Sequence, residues 1–264
     1  MVANYLPADY PPDAPPRFRL YGIGLGKTGT ISLCGMFGGH FRSTHEPDWR
    51  RLIRLALHPD GSRAGDFFFS APLQALVAGW QWEMNSSTLN YHLVPLIRRL
   101  QPEAKFVLTV REPVSWVASM CRHESTRPRS THWDWWELRR FRFRPDLYRH
   151  GRADAALERA GLFSLEGYLR WYARQNRKAM EMLPADTLLV VAVDRLSHPD
   201  EIARLAAFAG VAPDRLARER AHLHVSDTPF DLFDLVDRRT VEAAAEAICG
   251  DVWQALRRRA GLAP

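Results

Sequence analysis

Lysine is nearly missing from this chain. Of 36 basic residues in 264, only Lys27, Lys105 and Lys178 are lysines; the rest are arginines. A lysine kept at a special position therefore carries more information than an arginine would. Cysteine is equally sparse. Cys34, Cys121 and Cys249 are too few and too widely spaced for a disulfide framework or a zinc site, and each reads as a small buried residue. No apolar run approaches the ~20 residues that cross a bilayer, so no stable membrane insertion is expected. Residues 1–20 hold five prolines, no basic start and no apolar stretch, which is not the pattern of a secretory signal. Residues 1–16 read as an extended, proline-rich lead-in, and the expected location is the cytoplasm. A strong charge imbalance is also missing. The net charge is +6, with 30 acidic residues among the basic ones, and gives no case for a nucleic-acid partner. The remaining composition, 46% hydrophobic and 25% charged, is that of an ordinary globular chain long enough to bury a proper core.

Apolar periodicity predicts alternating strands and helices. Short buried strands are expected over residues 18–23, 41–44, 80–84, 105–110 and 187–193. Helices are expected over residues 48–58, 90–100, 164–183, 199–209 and 240–259, with two more after residues 30 and 113. Such alternation implies an α/β fold of three layers, with a central parallel sheet and helices on both faces. Residues 122–163 break the pattern. They are rich in arginine and tryptophan without long apolar periodicity, and read as an irregular insertion or lid within a single domain covering residues 1–264.

The first strand runs into Gly24-Leu25-Gly26-Lys27-Thr28-Gly29-Thr30 and then a helix. Strand, glycine-rich turn and helix make a phosphate cradle: glycines let the backbone close on an anion, and the helix start adds partial positive charge. The nucleotide triphosphatase loop G-x-x-x-x-G-K-[ST] is the obvious comparison. It fails by one residue, because Tyr21 stands where its first glycine is needed and the nearest glycine is Gly22. Such enzymes also need a carboxylate at a neighbouring strand end to hold magnesium. Here the strand over residues 105–110 ends in Arg111, which favours an anion over a metal. A P-loop kinase or nucleotide triphosphatase is therefore the alternative rather than the leading reading.

Lys27-Thr28-Gly29-Thr30, followed by Arg111 and Ser119 eight residues apart, resembles the sulfotransferases that use 3′-phosphoadenosine 5′-phosphosulfate (PAPS), of the bacterial and carbohydrate type with a P-loop-like fold. A looser likeness continues through Leu188–Leu196 to Phe208-Ala209-Gly210-Val211. The resemblance implies a transferase that moves a sulfuryl group from PAPS to a hydroxyl of a small molecule, glycan or lipid, leaves adenosine 3′,5′-bisphosphate, and uses no metal. It implies that Gly26, Lys27, Thr28, Gly29, Thr30 and Ile31 hold the 5′-phosphate side of the donor, with Lys27 also catalytic, and that Arg111 and Ser119 hold the 3′-phosphate. The family's stacking tryptophan is replaced by Ser32.

Transfer to a hydroxyl needs a general base. Glu46, ahead of Pro47, resembles the glutamate that bacterial and carbohydrate-type members carry after the second strand; His45 beside it would serve on chemical grounds. Asp66, Glu83, His92 and His123 are weaker candidates, and a cofactor role for His222 and His224 is a guess. The cluster Trp133, Trp135, Trp136, Arg139, Arg140, Phe141, Arg142 and Phe143 suits a lid over an acceptor.

Overall fold

A computed structural model describes residues 3–7, 11, 14–57, 70–127, 133–223 and 229–262, with residues 55–57 given as backbone only. Asp66, His224 and the end of the helix expected over residues 48–58 lie outside the described residues. The chain divides into two compact units: Met1–Val110 with Ala179–His224, and Arg111–Lys178 with Val225–Pro264.

The first unit carries the sheet. In chain order it holds β1 (Ala3–Tyr5), β2 (Leu20–Gly22), α1 (Thr30–Phe37), β3 (Ser43–His45), α2 (Trp49–Leu57), α3 (Ala71–Ala78), β4 (Met84–Ser86), α4 (Asn90–Leu100) and β5 (Lys105–Val110). After the second unit's α5 (Pro113–Ser125), α6 (Trp133–Phe143) and α7 (Ala155–Arg159), the long α8 (Leu165–Met182) leads back to β6 (Leu188–Ala192) and α9 (Pro199–Ala209). The chain closes with α10 (Arg238–Arg259).

The strand order is β1-β3-β4-β2-β5-β6, and every neighbouring pair is parallel except β1 with β3. This is the expected α/β sheet with one antiparallel edge. β5 and β6 are buried almost throughout, which matches their continuous apolar runs. Leu20, Leu33, Met36, Phe37, Val107 and Val191 belong to one apolar core that joins the sheet to α1. Gly22, His45 and Ser86 lie in register, so β2, β3 and β4 end at one level. Ligands in open parallel sheets bind beyond such carboxyl ends.

Within the extended lead-in Ala3–Tyr5 pairs antiparallel with β3, and the Tyr5 ring fills the space over Gly38, where a Cβ would come within 2.4 Å of it. Two sequence expectations need correction. The strand expected at residues 80–84 is displaced to Met84–Ser86, because its register is set by β2 and β3 rather than by Trp80 and Trp82. α3 was not anticipated. The expected insertion carries α6 and α7 among its described residues. In α6 the buried positions are Leu138, Arg139, Arg142 and Phe143, so arginine stems occupy half of the helical face that apolar residues usually mark.

In the second unit α5 packs against α10. Arg139 pairs with the buried Glu124 and lies 5.7 Å from the Trp136 ring centre, while Arg142 and Arg174 both lie over Trp171, at 5.4 and 5.0 Å. Burial pushes the Glu124 carboxyl above the ordinary range, against the pull of Arg139. All three cysteines are free and buried. Burial raises the Cys34 and Cys249 thiols to about 12, far from thiolate chemistry.

Candidate active site

The loop after β2 is built from local constraints. Ile23 donates its N–H to the Val107 carbonyl at 2.9 Å, which carries β2 one residue along β5. Gly24 then passes against β5 so closely that a Cβ there would lie 2.1 Å from Thr109 Oγ1 and 2.8 Å from the Thr109 carbonyl oxygen. Only glycine fits. Thr28 closes the loop from inside. It is fully buried, and its hydroxyl donates to the Leu25 carbonyl at 2.7 Å while pairing with the Thr109 hydroxyl at 2.8 Å. The Thr28 side chain thus fastens the loop to itself and to β5.

Lys27 and Gly29 both have left-handed backbone, with φ of +69° and +86°. For lysine this costs on the order of 1–2 kcal/mol, so the surrounding loop imposes it. Gly29 is the N-cap of α1 and offers no side chain to the helix start; the first turn of α1 carries no acidic residue. The dipole and N–H groups at that end are therefore not countered by a cap of the helix's own. Thr30, the first helical residue, is buried, and its hydroxyl lies 3.2 Å from His45 Nε2. Ile31 is half-buried, and the Ser32 hydroxyl accepts the Leu223 N–H at 3.0 Å.

Glu46 follows directly on β3. It has φ of +53° ahead of Pro47, a position where a non-glycine residue is strained. Its side chain is held on both oxygens. Ser87 donates to Oε2 at 2.5 Å, and Thr88 donates to Oε1 through its N–H at 3.0 Å and its hydroxyl at 3.1 Å. A carboxylate oxygen has two acceptor positions; these contacts fill both on Oε1 and one on Oε2. Oε2 thus retains room to accept a proton.

Ser87 is itself tied to the end of β2, the strand that feeds the glycine loop. The Gly22 carbonyl accepts the Ser87 N–H at 3.2 Å and the Asn90 side-chain amide at 3.1 Å. That amide also reaches the Asn85 carbonyl at 2.9 Å. Sequence reasoning missed Gly24, Ser87, Thr88, Asn90 and Thr109. The visible signal was the run Asn85-Ser86-Ser87-Thr88-Leu89-Asn90, dense in small polar side chains at a strand end.

The other candidates separate. Glu83 is fully buried and structural: it accepts from the Arg17 backbone and guanidinium and from the Arg42 N–H. Burial alone would raise its carboxyl; the Arg17 and Arg42 donors outweigh that and hold it below the ordinary value. His222 bonds the Ser197 hydroxyl at 2.9 Å. Arg111 and Ser119 belong to the second unit. Arg111 follows Val110 directly and its carbonyl accepts the Tyr172 hydroxyl at 2.7 Å; Ser119 is half-buried on α5. The start of α5 is capped by Glu112, whose carboxylate accepts the N–H groups of Val114 and Ser115.

A mostly parallel sheet whose strand passes through a glycine turn into an uncapped helix makes this an α/β protein with an arrangement suited to an anion. The family model for the sulfotransferase domain matches residues 19–214, and the chain belongs to that family. It is similar in fold to a sulfotransferase from Alicyclobacillus acidocaldarius, at 15% identity over 94% of this chain and 97% of that one, with a TM-score of 0.49. It is likewise similar to the sulfotransferase domain of the Synechococcus PCC 7002 olefin synthase, at 17% identity over 96% and 98% of the two chains, with a TM-score of 0.47. No curated protein sequence matches it. Among the described residues, no helix is long and apolar enough to cross a membrane, and no three metal-ligating side chains gather.

Proposed function

We propose that the protein transfers a sulfuryl group from PAPS to an acceptor hydroxyl, with Lys27 and Glu46 as its catalytic residues. The observation that carries the reading is the start of α1, where an uncapped glycine N-cap follows a strained lysine in a loop locked to β5. That donor set fits a phosphate: backbone N–H groups, a helix dipole, a lysine and no competing carboxylate in the first turn. The donor supplies an activated sulfuryl group on a phosphosulfate anhydride.

Gly26 to Ile31 hold the 5′-phosphate end in this proposal. Lys27 holds positive charge near the oxygen that leaves with the phosphate, which matters most where charge develops. Glu46 receives the acceptor's proton on Oε2, with Ser87 and Thr88 fixing its orientation. His45 is the second candidate for that role; its Nε2 contact with Thr30 links it to the loop. Arg111 and Ser119 are assigned to the 3′-phosphate on the sequence motif alone, where an arginine fork suits a phosphate.

The test uses two ligands and one product. Adenosine 3′,5′-bisphosphate should raise the melting temperature without added metal, and incubation with PAPS and a panel of hydroxylated acceptors should yield products heavier by one SO₃. Stabilisation by ATP with magnesium, and none by the bisphosphate, would return the reading to a phosphoryl transferase.

A further inference from the structure

The second unit contains a cavity of about 610 Å³ that none of the donor-side residues line. This lies within the range of small-molecule sites, roughly 300–1,000 Å³. Three aromatic side chains line it, Trp136, Tyr148 and Phe163, together with Arg140, Arg149 and His150; Glu158 is the one acidic group among its lining residues.

Its walls are fixed by contacts deeper in the unit. Trp136 is stacked on the buried Phe163 at 5.2 Å and 26°, and Phe163 also meets Phe143 at 5.0 Å. Pro145, Tyr148, Arg149 and His150 also line the cavity, in a segment that turns at Arg144 with φ of +47°. The Tyr148 carbonyl accepts the Ser164 hydroxyl at 2.8 Å, and His150 Nε2 lies 3.1 Å from the Leu162 carbonyl. A carbonyl only accepts, so Nε2 is the donor in this contact. Asp154 closes this segment, taking the N–H groups of Gly151 at 2.6 Å and Leu165 at 2.8 Å. Arg140 and Arg149 are exposed at the rim.

We infer that this pocket binds a planar aromatic anion, with the ring against its aromatic lining and the acid group at Arg140 and Arg149. Flat apolar walls favour a ring, worth about 0.5–1.5 kcal/mol per aromatic pair beyond area burial. Two guanidinium groups against one carboxylate favour a negative substituent, which a neutral ring would leave unmatched.

The probe is 6-hydroxy-2-naphthoate, titrated calorimetrically into the full chain, with 2-naphthol as the ring without the acid. Naphthoate should bind in the sub-millimolar range and naphthol about tenfold more weakly, the range of one charge-assisted hydrogen bond. Arg149→Ala should weaken naphthoate about five- to tenfold and leave naphthol unchanged. Trp136→Leu should weaken both. No binding of naphthoate at millimolar concentration, or binding that neither variant alters, overturns the proposal. Arg149 is exposed, so its variant decides the matter even if Trp136→Leu fails to fold. A melting shift with adenosine 3′,5′-bisphosphate, run on the same samples, reports on the donor loop alone. Its loss in wild-type protein would count against the sulfotransferase chemistry and leave the pocket's test intact.

Discussion

Replacing Gly24 by alanine tests whether the loop is held by its contact with β5. The added Cβ would stand 2.1 Å from Thr109 Oγ1, 2.7 Å from Thr28 Oγ1 and 2.8 Å from the Thr109 carbonyl oxygen. Rotating the Thr109 side chain relieves the first clash but breaks the 2.8 Å pairing with Thr28, and the backbone clash stays. The loop must therefore lift from the strand. Overpacking of this kind costs about 1–3 kcal/mol. Exposing the Thr28 and Thr109 hydroxyls to loss of their partners adds about 1–3 kcal/mol. A total loss of roughly 2–6 kcal/mol is expected in urea unfolding, together with at least tenfold weaker binding of adenosine 3′,5′-bisphosphate. Thr109→Ala in the same chain should restore part of the stability, because it removes the nearest atom and not the carbonyl; the two changes should be non-additive. A Gly24→Ala protein within about 0.5 kcal/mol of wild type, with unchanged ligand affinity, would refute the account of how the loop is held.

Three further outcomes follow from the same contacts. Lys27→Ala should abolish measurable transfer while leaving the circular dichroism spectrum intact, and Arg111→Ala should weaken bisphosphate binding more than it slows turnover at saturating donor; retained transfer in the lysine variant would remove it from the chemistry. Glu46→Gln should slow transfer by about 10²–10⁴-fold, the usual worth of a general base, with bisphosphate affinity within twofold of wild type; Ser87→Ala should produce a smaller loss in kcat and shift the pH profile, whereas a purely structural serine would leave that profile alone. Glu83→Gln should destabilise the protein at pH 7 by about 2 kcal/mol, less than a fully buried pair because Arg17 is half exposed. Since the folded Glu83 carboxyl is held below 4.5, its stabilisation is present above that pH and fades as pH falls through the lower folded value. The melting-temperature gap between wild type and variant should thus narrow as pH falls below 4.5; a gap that widens on acidification would contradict it.

The helices over residues 90–100 and 199–209 and the strand over 105–110 were legible because their buried faces are apolar. α6 was not, because Arg139 and Arg142 fill core-facing positions and their partners, Glu124 and Trp171, are distant in the chain. β4 was hidden for a related reason: its residues are Met-Asn-Ser, a sequence with weak strand preference that tertiary pairing overrides. The candidate site divides in the same way. Lys27 and the loop glycines stand out by their local motif, and Glu46 by its resemblance to the family's glutamate after the second strand. The groups that hold them do not, because Thr109 meets Thr28 across 81 residues and Asn90 meets Gly22 across 68.

Those distant contacts explain why the carboxyl ends of β3 and β4 are polar although they are buried. Asn85, Ser86 and Asn90 are almost fully enclosed, yet among the described residues Asn85 Nδ2, Ser86 Oγ and Asn90 Oδ1 meet no hydrogen-bond partner. Each such group costs about 1–3 kcal/mol, so an edge selected for stability alone would carry apolar residues. What the polar edge provides instead is a shared anchor. The Gly22 carbonyl, one residue from the loop's start, accepts both Ser87 and Asn90, and the Ser86 carbonyl accepts the Glu46 N–H at 3.2 Å. A Cβ at Gly22 would lie 2.5 Å from Ser86 Oγ, so the two strands approach closely enough to share these bonds only while position 22 is glycine. The glycine loop and the carboxylate are therefore held by the same short stretch of backbone, and displacement of either is resisted by the bonds that orient the other.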